Sequence, residues 1–336
     1  MTVRRDHSGK WCLGVRGPVR TARVGALVVL AAAWSCGAPG PSWQERLTIA
    51  EDLPPSTETE VLPFGLWLPV RAEGAHLASL RVAYELSLAG DAEGAFALVS
   101  HLSENSPGDA SLWAARAALQ RTMGFARSAE RDLSKACALV PDDADLALGL
   151  AELRLELGFP TAAIEALGAA HDAGRDDVEL HRSFGRAWAR LGESEHARRH
   201  YDLAFARAGD QNPGLFLEAA TMLSTLACRN RAKLGDSDWI ENALSRALEI
   251  APTNARAWLS RGLFHERRGE YAEALSAYER ACAAEPWNRL AWTYLALAAR
   301  GGSDRARFAG ALERALELEA DRRRARRLVA LSETPD

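Results

Sequence analysis

The sequence predicts an all-α fold, a solenoid of about seven antiparallel helical hairpins. The first observation is that glycine recurs every 34 residues, and alanine recurs in phase with it. The glycines are Gly90, Gly124, Gly158 and Gly192 and then Gly235 and Gly269; the alanines are Ala95, Ala129, Ala163, Ala197 and Ala274. The second observation is that apolar residues within each period follow the three-one-three spacing of one helix face. Two such helices fit in each period.

A frame that begins at His76 divides residues 76–322 into seven units. The units are 76–109, 110–143, 144–177, 178–211, 212–254, 255–288 and 289–322. Positions 4, 7, 8 and 11 of a unit form the apolar face of a first helix, and positions 20, 24 and 27 form that of a second. Glycine at position 15 predicts the end of the first helix, because the left-handed conformation that closes a helix is comfortable only without a Cβ. Proline at position 32 ends the second helix in four units.

Unit 255–288 carries the clearest motif of the seven. Its motif residues are Trp258, Gly262, Gly269, Tyr271, Ala274, Tyr278, Ala281 and Pro286. The array resembles a tetratricopeptide repeat (TPR) protein, and this resemblance implies a non-catalytic scaffold that binds other proteins. Two units depart from the pattern: 212–254 has nine extra residues near 229–238, and 289–322 has a Gly301–Gly302 pair. Beyond the array, the charged segment 323–336 is predicted as a capping helix and tail.

Residues 1–35 are predicted to be a signal peptide. Six bases and one acid precede the apolar run 24–34, which at eleven residues is too short for a transmembrane helix. The run ends in Ala33-Trp34-Ser35-Cys36-Gly37, which resembles the lipobox of bacterial lipoproteins and implies lipidation of Cys36. The alternatives are an ordinary signal peptide and a cytosolic N-terminal tail.

Residues 36–75 are predicted to be a proline-rich linker, because prolines this dense disfavour helices and keep the chain extended. The prolines are Pro39, Pro41, Pro54, Pro55, Pro63 and Pro69. Apolar residues near 61–70 are unusual in a linker, so part of this stretch is expected to dock on the array.

The candidate partner-binding surface is the concave face, which the first helices are expected to form. Its predicted residues are Leu80, Tyr84, Leu148, Glu152, Arg182, Arg186, Arg190, Phe216, Leu259 and Leu263. Some TPR proteins have a carboxylate clamp of lysine and asparagine on this face, but positions 5 and 9 of these units lack those residues, so no such clamp is expected. Three arginines four residues apart suggest a grip for a partner carboxylate, with Glu152 facing them. The alternative is that these arginines only pair with neighbouring acids.

Other chemistry has little support in the sequence. His196 and His200 have a spacing that can share a metal, but no third ligand is evident, so solvated histidines are expected. Cys137 and Cys282 both occupy position 28, which packing explains. The arginines of 322–327 suit a helix C-terminus, and the net charge of −4 disfavours nucleic acid. No phosphate loop or catalytic motif is visible, so no enzyme, metal, cofactor or small-molecule substrate is expected.

The predicted function is therefore a protein-interaction scaffold, an exported lipoprotein of the cell envelope whose array binds another protein or peptide. An envelope location on the periplasmic or outer side follows from the lipobox alone. The alternatives are a cytoplasmic TPR adaptor or regulatory module, and an enzyme whose catalytic groups are distant in sequence.

Overall fold

The computed structural model describes residues 2–5, 11–14, 56–64, 68–74, 76–209, 212–230 and 235–319. Two antiparallel β-hairpins precede the helices: β1 (Thr2–Arg5) pairs with β2 (Trp11–Gly14), and β3 (Ser56–Phe64) pairs with β4 (Leu68–Gly74). The predicted all-α solenoid is confirmed for the array. Most of the predicted signal peptide, Cys36 and the predicted cap 323–336 lie outside the described residues.

Fourteen helices follow in the described residues, two for each predicted unit. The first helices are α1 (Leu77–Leu88), α3 (Ala110–Thr122), α5 (Ala144–Glu156), α7 (Val178–Leu191), α9 (Pro213–Asn230), α11 (Ala255–Arg267) and α13 (Arg289–Gly301). The second helices are α2 (Ala92–Asn105), α4 (Ala126–Leu139), α6 (Pro160–Asp172), α8 (Ser194–Ala208), α10 (Gly235–Ile250), α12 (Tyr271–Ala284) and α14 (Arg305–Glu317).

In the six units other than 212–254, the turn within the hairpin has the expected left-handed residue. Glycines at position 15 have a positive φ, as at Gly124 with +85° and Gly192 with +93°. In the last unit position 15 is Ser303, which takes the same left-handed conformation at φ 59° after the glycine pair. The extra residues of unit 212–254 lengthen α9 to 18 residues, against 13 in α11.

The units are joined by a repeated hydrogen bond that sequence reasoning did not anticipate. The indole Nε1 of Trp258, at position 4, donates to the carbonyl of Pro252 at 2.8 Å, and Trp292 donates to Pro286 at 2.9 Å. Trp113 makes the same bond to Pro107 at 2.8 Å. The tryptophan thus ties the start of one unit to the end of the preceding one, which makes it more than an apolar filler.

The first helices form the inner surface of the array. Most neighbouring first helices contact each other directly, whereas neighbouring second helices scarcely do. An array in which one set of helices is closer together must curve toward that set. The first-helix face, meaning the surface formed by α1, α3, α5, α7, α9, α11 and α13, is therefore the concave one.

The hairpin β3–β4 lies on this first-helix face, within the range predicted as a linker. Its main contacts are with α1, α3 and α5, and Leu62, Leu68 and Val70 are at most 3% exposed against them. The expectation that part of 61–70 docks on the array agrees with this packing. The strands themselves were not predicted, because prolines obscured the alternation of apolar residues at 62, 68 and 70.

No helix within the described ranges is both long enough and apolar enough to cross a membrane.

Candidate functional site

The N-terminal part of the first-helix face is covered. Leu80 is fully buried, in the same core cluster as Leu62, Leu68 and Val70 of the hairpin. The prediction that Leu80 is a partner-binding residue is therefore wrong for the structure as it stands, because the chain itself fills this part of the groove. Tyr84, one turn further along α1, is only partly buried and stays accessible.

Phe216 is also not presented to a partner. Its ring stacks on Phe205 of α8 with 4.2 Å between centroids, and the residue is only 7% exposed. Trp239 of α10 stacks on Phe205 at 5.7 Å and completes an aromatic cluster between the two units. The prediction for Phe216 fails because the extended α9 packs against both of its neighbours, so that this position faces the core.

The apolar candidates that keep an accessible surface are Leu148, Leu259 and Leu263. All three are partly buried and pack on the edges of core clusters. Leu259 and Leu263 are one turn apart on α11, and Leu148 lies on α5. The accessible apolar part of the face thus has fewer residues than the sequence predicted, and two of these three leucines lie toward the C-terminal end of the array.

A charged network crosses the middle of the face from α5 to α9. Arg186 Nη1 donates to the Glu152 carboxylate at 3.1 Å, because the two residues share position 9 of adjacent units. Arg182 donates to Glu218 of α9 from Nε at 3.0 Å and from Nη2 at 2.8 Å. Ser183 Oγ donates to Glu152 at 2.5 Å.

This network changes the predicted charge of the site. Arg182 also pairs with Glu179 at 3.1 Å, so the three arginines face three carboxylates, those of Glu152, Glu179 and Glu218. Arg190 donates to the carbonyl of Leu155. The hydrogen bonds that Arg182 donates to Glu218 raise the pKa of its guanidinium group above the usual value despite partial burial. The expected excess of positive charge is absent, because Glu218 comes from the next unit.

Tyr201 of α8 lies beneath this network, fully buried, with no hydrogen-bond partner for its hydroxyl among the described residues. Burial raises the pKa of its hydroxyl, and the negative charge of Glu218 adds to the effect. The tyrosine therefore stays protonated, and it has a packing role.

Histidines on the opposite side of unit 178–211 form a second cluster. His181 Nε2 lies 2.7 Å from the Asp176 carboxylate, and its Nδ1 lies 3.1 Å from Nδ1 of His200. Since a carboxylate only accepts, Nε2 of His181 is the donor to Asp176, and the two Nδ1 atoms share a second hydrogen bond. Arg207 holds Asp176 at 2.6 Å. The expectation of a solvated His200 is wrong, because its ring stacks on Phe184 at 4.5 Å.

Among the residues whose side chains the structure describes, the histidines form no metal site, and Cys137 and Cys282 are not reactive thiols. His196 stacks on Trp188 at 4.7 Å, and no set of three metal-ligating side chains is found in the described part of the chain. Burial raises the thiol pKa of Cys137 to about 11 and that of Cys282 to about 12, so both thiols are protonated and unreactive at neutral pH.

Comparison with known proteins agrees with this architecture. Residues 67–225 and residues 255–299 each match a tetratricopeptide repeat family model. The structure is similar to a tetratricopeptide repeat protein from Parabacteroides merdae, with a TM-score of 0.56 and 14% identity, over 76% of this chain and 98% of that one. It is similar to the C-terminal part of a TPR repeat-containing protein from Cytophaga hutchinsonii, with a TM-score of 0.56 and 16% identity, over 74% and 98%. No curated protein matches this chain.

The helical hairpins and their stacking define the class first: this is a helical-repeat solenoid. Its repeats are tetratricopeptide repeats, as the matches at 67–225 and 255–299 show. Arrays of this kind are protein-interaction scaffolds and generally not catalysts, which agrees with the interaction function predicted from the sequence.

Proposed function

We propose that this chain is a non-catalytic scaffold that binds a partner protein or peptide on the uncovered part of its first-helix face. The observation that carries the proposal is the accessible apolar surface of Leu259 and Leu263 on α11, the first helix next to α9, where the charged network ends at Glu218. Apolar contact supplies affinity there, while Arg182, Arg186 and Glu218 fix the register of a partner through exchangeable ion pairs.

We further propose that the scaffold is a lipoprotein of the cell envelope, anchored through Cys36. The support comes from the sequence: a basic segment, an apolar run of eleven residues and then Cys36 among small residues. A thiol is a good nucleophile for taking up a lipid, and two acyl chains anchor a protein stably where one does not. The array would then be held at a membrane surface by the segment that precedes β3.

The anchor is tested by mass spectrometry of the N-terminal peptide from fractionated membranes, comparing the native chain with Cys36→Ala. We expect an acylated N-terminus at Cys36 that disappears in the variant, with the variant released from the membrane fraction. An intact Met1 in the soluble fraction of native cells would contradict the anchor and favour the cytoplasmic adaptor.

The binding face is tested with a photo-crosslinking residue placed at position 259, and at position 203 as a control. Leu203 is a leucine on second helix α8 that is 40% exposed. We expect a discrete crosslinked partner from position 259 that Leu263→Asp weakens at least tenfold, and none from position 203. Equal crosslinking from both positions would reject the first-helix face as the binding surface.

The charged network is tested by replacing Arg182 and Arg186 together with glutamine. The purified crosslinked partner should bind the double variant at least tenfold more weakly, and the affinity should also fall with added salt. An unchanged affinity would show that the network only stabilises the array.

A further inference from the structure

The hairpin β3–β4 has one free edge that faces along the groove. In the described part of the chain, β4 pairs only with β3. β3 lies mainly against α1, while β4 lies against α1, α3 and α5, so the strands step along the array. The unpaired edge of β4 therefore points toward the first helices of units 144–177 and 178–211.

Two prolines show which backbone groups this edge offers. Pro63 lies opposite Pro69 in the register, and since neither has an N–H, they form a non-hydrogen-bonded pair. Alternation makes Leu62 and Val70 a hydrogen-bonded pair and Val61 and Arg71 a non-hydrogen-bonded one. The N–H and C=O of Arg71 therefore point outward, away from β3.

A cavity of about 800 Å³ lies beside this edge. It is lined by Val70, Arg71, Asp109, Ala114, Asp143 and Leu146, among others. Where α3 and α5 begin, its floor combines the apolar side chains of Ala114 and Leu146 with the carboxylates of Asp109 and Asp143, and one wall is β4. An extended chain placed there would point alternate side chains into the cavity, as a third strand does.

Charge around the cavity favours a basic occupant. The carboxylates of Asp109, Asp143 and Asp145 outnumber the guanidinium groups of Arg71 and Arg175. Arg71 bonds to Asp145 at 3.1 Å, but its side chain is 59% exposed, so this pair opposes displacement only weakly.

We propose that a partner protein adds an extended segment of alternating apolar and basic residues to the free edge of β4, as the third strand of the β3–β4 sheet. This inference rests on the proposed scaffold function and names the partner's conformation. The edge is already ordered, because Leu62, Leu68 and Val70 are buried against the array. Binding then costs little ordering of this chain, and the main-chain hydrogen bonds of Arg71 supply the docking point.

The matched variants are Arg71→Pro and Val61→Pro. Both residues occupy the same register pair, and each substitution removes one outward N–H without removing a bond between β3 and β4. Arg71→Ala controls for loss of the side chain and its ion pair with Asp145. Circular dichroism of each variant checks that the array is folded.

The probe is a displayed library of random dodecapeptides selected on the full chain, followed by synthesis of the selected peptides. We expect alternating apolar and basic peptides that bind Arg71→Pro at least tenfold more weakly, and Arg71→Ala and Val61→Pro within threefold of the native chain. Hydrogen exchange at the amide of Arg71 in the native chain should slow at least tenfold when peptide is added.

Any of five outcomes overturns the inference. The first is equal binding to Arg71→Pro and Arg71→Ala, and the second is an equal loss in Val61→Pro. The third is an Arg71 amide that is already protected from hydrogen exchange in the free chain and loses this protection when residues 37–55 are deleted. That result would mean that the chain itself supplies the third strand. If peptides bind and Leu263→Asp alone abolishes binding, the edge strand fails while the scaffold function stands. If no peptide binds, both fail.

Discussion

Units 178–211 and 255–288 share one packing arrangement, a tyrosine over a glycine, but they differ in the hydrogen bonding of the tyrosine hydroxyl group. In each, a tyrosine at position 24 of the second helix lies over a glycine at position 8 of the first: Tyr201 over Gly185, and Tyr278 over Gly262. A Cβ on Gly185 would lie 2.9 Å from the Tyr201 ring, and one on Gly262 would lie 2.4 Å from the Tyr278 ring. The glycine makes the room that the ring fills.

The other five units have the complementary combination. Position 8 is alanine in each of them, and the facing residue is valine or leucine. These pairs are Ala83 with Val99, Ala117 with Leu133, Ala151 with Leu167, Ala219 with Leu244, and Ala296 with Leu312. The two positions thus conserve the combined volume between the helices, as close packing requires.

The difference lies in the hydroxyl group. Tyr278 Oη donates to Glu266 at 2.6 Å, whereas Tyr201 Oη has no partner among the described residues. Glu266 occupies position 12, and the same position in unit 178–211 is Ala189. Identical packing therefore leaves one hydroxyl satisfied and the other buried without compensation, which costs free energy.

Among the substitutions in these two units, adding a methyl group at the glycine should lower the free energy of unfolding most. We expect Gly262→Ala to lower the free energy of unfolding by about 2 kcal/mol, because overpacking outweighs the better helix propensity of alanine. Gly185→Ala should cost less, since its Cβ lies further from the ring. Urea unfolding monitored by circular dichroism measures both.

The double variant Gly262→Ala with Tyr278→Leu is the control, because it recreates the alanine–leucine pair of four other units. It should recover much of the loss caused by Gly262→Ala, and the interaction free energy comes from the double-mutant cycle. Strict additivity of the two substitutions would refute the volume argument.

Removing the tyrosine hydroxyl group should change the free energy of unfolding differently in the two units. Tyr278→Phe is expected to lower the free energy of unfolding by about 1.5 kcal/mol, because a hydrogen bond to a carboxylate is lost. Tyr201→Phe should leave it unchanged or raise it by up to about 1 kcal/mol, because a buried unpaired hydroxyl is removed. Native-state hydrogen exchange of α7, α8, α11 and α12 measures each unit. Equal losses in the two variants would show that Tyr201 has a partner in solution.

The array was predictable because its information is periodic. Each unit repeats the glycine turn, the alanine contacts and the proline, so an error in one unit is corrected by the others. The pairing of Gly262 with Tyr278 is itself visible in the sequence, once positions 8 and 24 are compared across units.

The site was less predictable because it depends on what lies across the units. Leu80 occupies a groove position, but nothing in its own helix shows that β3 and β4 cover it. Glu152 was the one acid expected to face Arg182, and Glu218 of α9, which pairs with it at 2.8 Å, was missed because the spacing of 36 residues differs from the period. Sequence reasoning finds what repeats, and here the covering hairpin and the balancing acid occur once.

Acid should weaken unit 178–211 more than unit 255–288, which has Ala277 where the former has His200. Burial, with the nearby positive charges of His181, His196 and His171, lowers the pKa of His200 from 6.5 to about 4. Between these values the unfolded chain binds a proton that the folded chain does not, so stability falls as the pH falls from 6.5 toward 4. Above 6.5 both states are neutral, and the loss is absent.

The expected loss at pH 5 is about 1 kcal/mol, below the full linkage value, because solvent screens a half-exposed ring. Hydrogen exchange of α7 and α8 at pH 7 and pH 5, corrected for the intrinsic rate, should reveal it, with α11 and α12 as the internal reference. His200→Asn keeps a polar group beside His181 and should remove the pH dependence, while His101→Asn, at an exposed histidine of another unit, should keep it. If both variants retain the native pH profile, the acid sensitivity of unit 178–211 does not come from the paired histidines.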